Sequence, residues 1–195
     1  MRLLTLIFTV ATLALAALPG QAAEMGDDGL HKAPWMHDTF KDMREDLAEA
    51  TSQGKRLMLI WEQRGCIYCR KFHEEIAPKP RIDAMLSDEF FVVQMNLFGD
   101  VEVTDFDGET LSERDMAMKW GIMFTPTFMF FPPQVPEGVT AAEAAVVTMP
   151  GAFGYYTTAN LFRWVLDEGY LGDENFQKYH ARMLPKLMEE EKSSN

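Results

Sequence analysis

The chain opens on an apolar run from Leu3 to Leu18, and no later stretch is as long. The run follows Arg2 and ends at Pro19-Gly20-Gln21-Ala22-Ala23, with small residues at cleavage positions, which is the layout of a secretory signal peptide. About 16 apolar residues fall short of the roughly 20 needed to span a bilayer, so residues 1–22 are expected to be a cleaved leader rather than a membrane anchor. Residues 23–40 are polar, are punctuated by Gly26, Gly29 and Pro34, and have no period. They read as a flexible N-terminal extension.

Periodic elements begin after it. Phe40, Met43, Leu47 and Ala50 recur at helical spacing and predict a helix over 38–53, with Gly54 placed to end it. Leu57 to Trp61 is a continuous apolar run, as in a strand covered on both faces. A helix is predicted from Cys66 to Ile76, interrupted by Pro78 and Pro80, then a short helix from Arg81 to Leu86 and a β-rich run from Phe90 to Phe98. Val101, Val103 and Asp105 alternate toward Asp107-Gly108, a hairpin signal. Ser112 and Asp115 form a capping pattern for a helix through Lys119. Thr127 to Phe131 predicts another buried strand, Ala145 to Met149 an edge strand, and Thr158 to Glu168 and Asp173 to Met188 two helices. Strands alternating with helices argue an α/β layer architecture.

The leader carries one basic residue and no acid, so its removal turns 18 basic against 30 acidic residues into 17 against 30. That balance argues against binding nucleic acid through phosphate neutralisation. No Gly-rich phosphate loop follows any strand. The acidic stretch fits a calcium loop at Asp105, Asp107 and Gly108, but Val103 takes the first ligand position and Arg114 the last, where a bidentate Glu is required.

The two cysteines stand together as Cys66-Ile67-Tyr68-Cys69. A bond between them closes a very short loop and is a poor staple, since cross-link stabilisation grows with loop length. The spacing suits a redox reagent instead: one exposed thiolate attacks, and a partner two residues away resolves the mixed disulfide. At a helix start, free backbone N–H groups and the dipole lower the first thiol's pKa. Arg64, Arg70 and Lys71 act in the same direction if they lie near. Cys66 is thus the expected nucleophile and Cys69 the resolving thiol. His73, one turn after Cys69, reads as a solvated helix residue. Two thiols and one histidine make an incomplete zinc set, and Arg70 rather than His follows the pair, which excludes covalent haem. No metal and no cofactor are expected.

Two separated stretches, LMLIWEQRGCIYCRKFHEE and MKWGIMFTPTFMFF, resemble the thioredoxin family. The first is a buried strand leading into CxxC at a helix start; the second is similar to the family's helix end, cis-proline and following strand. The resemblance implies a thioredoxin fold, a central mixed β-sheet flanked by helices, over residues 41–170, with a C-terminal helical extension over 171–195. It implies a cis Pro126 beside the cysteine pair and a Thr125 backbone that pairs with an extended substrate chain. Gly151 matches a further family position near that surface. Many thioredoxins carry a buried Asp as proton acceptor for the resolving thiol where this chain has Ile60; Glu62, on the same strand face, is the candidate substitute.

Ile67-Tyr68 between the cysteines is neither the Gly-Pro of cytoplasmic reductants nor the Pro-His of the strong periplasmic oxidant. The chain looks most like the exported thioredoxins of bacterial sulfur-oxidation or cytochrome-maturation systems. By that likeness it is a periplasmic thiol:disulfide oxidoreductase reducing protein substrates, with a membrane thiol transporter as electron donor. The alternatives are a disulfide oxidase or isomerase, and a non-catalytic module that holds a partner or copper. Fourteen methionines invite copper, but Met58, Met85 and Met129 lie in apolar patterns where Met fills core.

Overall fold

The computed structural model describes residues 23–193, so the expected leader over 1–22 lies outside the described residues. Nine strands can be followed: β1 (Glu24–Met25), β2 (His31–Lys32), β3 (Met36–His37), β4 (Arg56–Glu62), β5 (Phe90–Asn96), β6 (Glu102–Thr104), β7 (Thr110–Ser112), β8 (Thr127–Phe130) and β9 (Val147–Pro150). Five of them form the central sheet in the order β3-β5-β4-β8-β9. β3 and β4 run parallel to β5, whereas β8 runs antiparallel to both β4 and β9.

Strand periodicity divides the core. Met58 and Ile60 of β4, Phe90 and Val92 of β5, and Phe128 and Phe130 of β8 face one layer, with Phe72, Phe162 and Trp164. Leu57, Leu59, Trp61, Phe91, Val93 and Met129 face the other, with Met43, Leu47 and Met116. Both faces are covered, which explains the unbroken apolar reading of β4.

Helix α1 (Met43–Ser52) starts later than the spacing predicts, because Asp42 caps it by accepting from the N–H groups of Arg44 and Glu45. Phe40, read as part of its apolar face, is exposed. Gly54, at φ +68°, ends the helix as predicted. Helix α2 (Ile67–Lys71) begins directly after Cys66 and continues as a π-helical turn, Phe72–Ile76. Helix α3 (Pro80–Ala84) likewise widens into a π turn, Met85–Glu89. α4 (Glu113–Lys119) starts on the Ser112 cap, and the β6–β7 hairpin precedes it. A short α5 (Ala141–Ala144), missed in the sequence, starts on a Thr140/Glu143 capping box. α6 (Tyr155–Leu166) and α7 (Phe176–Ser193) close the chain, α7 adding Tyr179 and Leu187 to the core layer of Phe72.

Residues 23–40 depart from the loose extension that the sequence reading gives them. β1 and β2 pair antiparallel, β3 joins the sheet at Met36↔Val92, and Leu30 and Trp35 are buried. Strands of two residues among glycines and proline leave no period to read. Their order comes from inserted side chains, Trp35 packing edge-on against Phe72 and parallel to His73.

Candidate active site

β4 delivers the chain to a turn at Gln63–Gly65, where Gly65 takes φ +73°, a conformation in which a side chain is strained. Cys66 follows as the N-cap of α2 in extended conformation, and its Sγ accepts the Cys69 N–H at 3.0 Å. Cys66 and Cys69 are joined as a disulfide with Cα atoms 5.2 Å apart. Cys66 keeps 9% exposure and Cys69 has 0%, so Cys66 is the less buried of the pair.

The loop before β8 closes against this bond. Thr125 donates its hydroxyl to Cys66 Sγ at 3.2 Å, and the Thr125–Pro126 peptide bond is cis. Gly151, at φ +96°, donates its N–H to the Pro126 carbonyl at 2.7 Å, joining the end of β9 to the same loop. Cys66, Cys69, Thr125 and Pro126 are therefore one constellation. Among the flanking cations, Arg64 turns to the N-terminal hairpin and donates to the Asp28 carbonyl at 3.2 Å, whereas Arg70 borders a cavity of about 120 Å³ together with Cys66. Met25, Gly29 and His31 form the opposite wall of that cavity.

Glu62 lies deeper. It shares strand parity with Met58 and Ile60, which turns it under α2, and it is fully buried. Its Oε1 stands 2.8 Å from His73 Nε2 and 3.6 Å from His31 Nδ1, and its Oε2 accepts from Gln94 Nε2. Burial pushes its carboxyl up, but the nearby His31 and the hydrogen bonds to His73 and Gln94 outweigh that and hold it at about 2. His73, read as solvated, is instead 2% exposed and stacked on His31, ring centroids 4.4 Å apart. Sequence reasoning named Glu62 and His73 but missed Gln94 and His31. Gln94 was findable as a polar residue inside an apolar strand. His31 gave no signal, because its surroundings have no period.

A buried strand running into CxxC, beside a Thr-cis-Pro loop on a five-stranded mixed sheet, defines a thioredoxin-fold protein with a redox-type cysteine pair. The family model described as a thioredoxin-like domain matches residues 43–143, just over half of the chain, and the protein belongs to that family. Among solved structures, it is similar to a thioredoxin-fold protein from Helicobacter pylori at 14% identity and a TM-score of 0.53, over 68% of this chain and 81% of that one. It is also similar to a thioredoxin from Thermus thermophilus at 20% identity and a TM-score of 0.50, over 66% of this chain and 86% of that one. Both likenesses are of fold. No curated protein sequence matches the chain significantly. The family match excludes β1 to β3, and with them His31.

Proposed function

We propose that the protein is an exported thiol:disulfide oxidoreductase that reduces disulfides in other proteins. The observation that carries this reading is the Cys66–Cys69 disulfide, with Cys66 at a helix start and touched by Thr125. In the reduced form, the Cys66 thiolate attacks one sulfur of a substrate disulfide and the other substrate sulfur leaves as a thiolate. Cys69 then attacks Cys66 Sγ, releasing the second substrate thiolate and restoring the internal disulfide. Two electrons pass to the substrate in each cycle. The backbone N–H groups at the start of α2 stabilise the Cys66 thiolate, and burial keeps Cys69 from competing for substrate.

The surface around the bond favours protein substrates. Ile67, Tyr68, Met123, Phe124 and Phe153 are exposed apolar side chains next to Cys66, Thr125 and Gly151 in the chain. They supply contact area, while the Thr125 backbone offers main-chain hydrogen bonds to an extended segment, which tolerate many sequences. The apolar run from Leu3 to Leu18, read as a leader, supports work outside the cytoplasm, in the periplasm of a bacterium, where a reductant needs electrons from a membrane thiol transporter. In an insulin-reduction assay with a chemical electron donor, the protein is expected to accelerate precipitation of the insulin B chain and Cys66→Ser to abolish the effect. Full activity in Cys66→Ser contradicts the reading.

A further inference from the structure

We propose that His31, Glu62 and His73 form a buried site for a divalent first-row metal ion, of the two-imidazole, one-carboxylate kind that zinc accepts. The three side chains come from β2, β4 and the π turn after α2, and one ligand atom from each lies within 4.8 Å of the others. All three are buried, at 8%, 0% and 2% exposure. Both imidazoles address the same carboxylate oxygen, at 2.8 Å from His73 Nε2 and 3.6 Å from His31 Nδ1. Ligand atoms bound at about 2.0–2.2 Å around a tetrahedral ion stand roughly 3.4 Å apart, so these two separations already bracket what zinc needs. The remaining adjustment is between the rings, which lie stacked 20° from parallel and must tilt toward the shared oxygen.

The residue types favour the same occupant: two imidazoles and a carboxylate, all buried, are ligands that zinc accepts. The supports of a metal site are also in place. Gln94 donates to Glu62 Oε2, leaving Oε1 for the ion, and donates to the His31 carbonyl at 2.7 Å, so one side chain fixes two of the ligand-bearing segments. Of the three ligands His31 borders the cavity of about 120 Å³ that it shares with Cys66, which gives the ion a way in. The N-terminal hairpin thereby acquires a purpose: it brings the second histidine to a domain that by itself offers only Glu62 and His73.

The test uses the oxidised protein, whose cysteines are tied up in the disulfide and take no part in binding, so its result does not depend on the proposed reductase activity. After dialysis against zinc and then metal-free buffer, elemental analysis is expected to find one zinc per chain, and calorimetry to give the affinity. His31→Ala, on the hairpin, should weaken binding more than tenfold, and His31→Gln, which keeps a polar side chain in that place, should weaken it as well. Gln94→Ala should weaken it roughly 10–100-fold, the usual effect of losing an outer-shell partner. The double variant Cys66→Ser/Cys69→Ser should bind as the oxidised protein does, and its cobalt form should show tetrahedral d–d bands without a thiolate charge-transfer band. No uptake by the oxidised protein, uptake unchanged in His31→Ala, or uptake lost with the cysteines each overturns the proposal.

Discussion

Asp46 carries a cost that the sequence does not advertise. It stands in the first turns of α1, where an acid suits the helix dipole, yet its side chain is turned inward and is 3% exposed. Burial raises its carboxyl to about 7, the Thr39 hydroxyl at 3.1 Å opposes the rise, and the negative charges of Asp42, Glu49 and Glu45 add to it. A folded-state pKa above the unfolded value means that the native protein binds the proton more tightly. Stability therefore falls as pH rises from the ordinary aspartate range toward 7 and levels off above it. Asp46→Asn keeps an acceptor for Thr39 and removes the charge, so thermal unfolding of the variant is expected at a higher temperature than wild type at pH 8. Below pH 4 the two should coincide. A gap that persists undiminished below pH 4 contradicts this account. At this scale the pairing of Cys66 with Cys69 was legible because a spacing of three residues lets the two sulfurs meet. The burial of Asp46, Glu62 and His73 was not, because it depends on which neighbours close over them.

Elements with their own period were read correctly in kind, and their ends were set by single residues. β4, β5 and β8 follow from apolar runs, whereas the start of α1 moved to Met43 because the Asp42 cap outweighs the apolar Phe40. Residues 24–37 were illegible for the opposite reason: their strands are too short for a period, and Trp35 anchors them from within. Trp35→Ala should cost about 3–5 kcal/mol in chemical denaturation, the usual range for removing a large buried aromatic side chain. A cost below about 1 kcal/mol, near that of a surface change, contradicts the hairpin's being part of the folded core. At the other end, Pro185 sits inside α7, where it lacks an N–H for the Ala181 carbonyl. Pro185→Ala is expected to stabilise the protein by about 1–3 kcal/mol, read from the denaturation midpoint. Destabilisation instead means that a bend at Pro185 is needed to seat Tyr179 and Leu187 on the core.

As a whole, the molecule is a thioredoxin-like domain with structure added at both ends. The added strands border the cavity beside Cys66, and the added helix α7 packs on α6, the helix that follows Gly151. The central claim is that the buried Cys69 frees a partner that the less buried Cys66 has captured. Trapping tests it most directly: reduced Cys69→Ser, mixed with a disulfide-containing protein such as insulin, should accumulate a mixed disulfide through Cys66 that survives without reductant and is identified by peptide mass. Wild-type protein should accumulate none, because Cys69 resolves it. Absence of the adduct in Cys69→Ser, with both wild-type thiols resisting alkylation in the reduced state, contradicts the account.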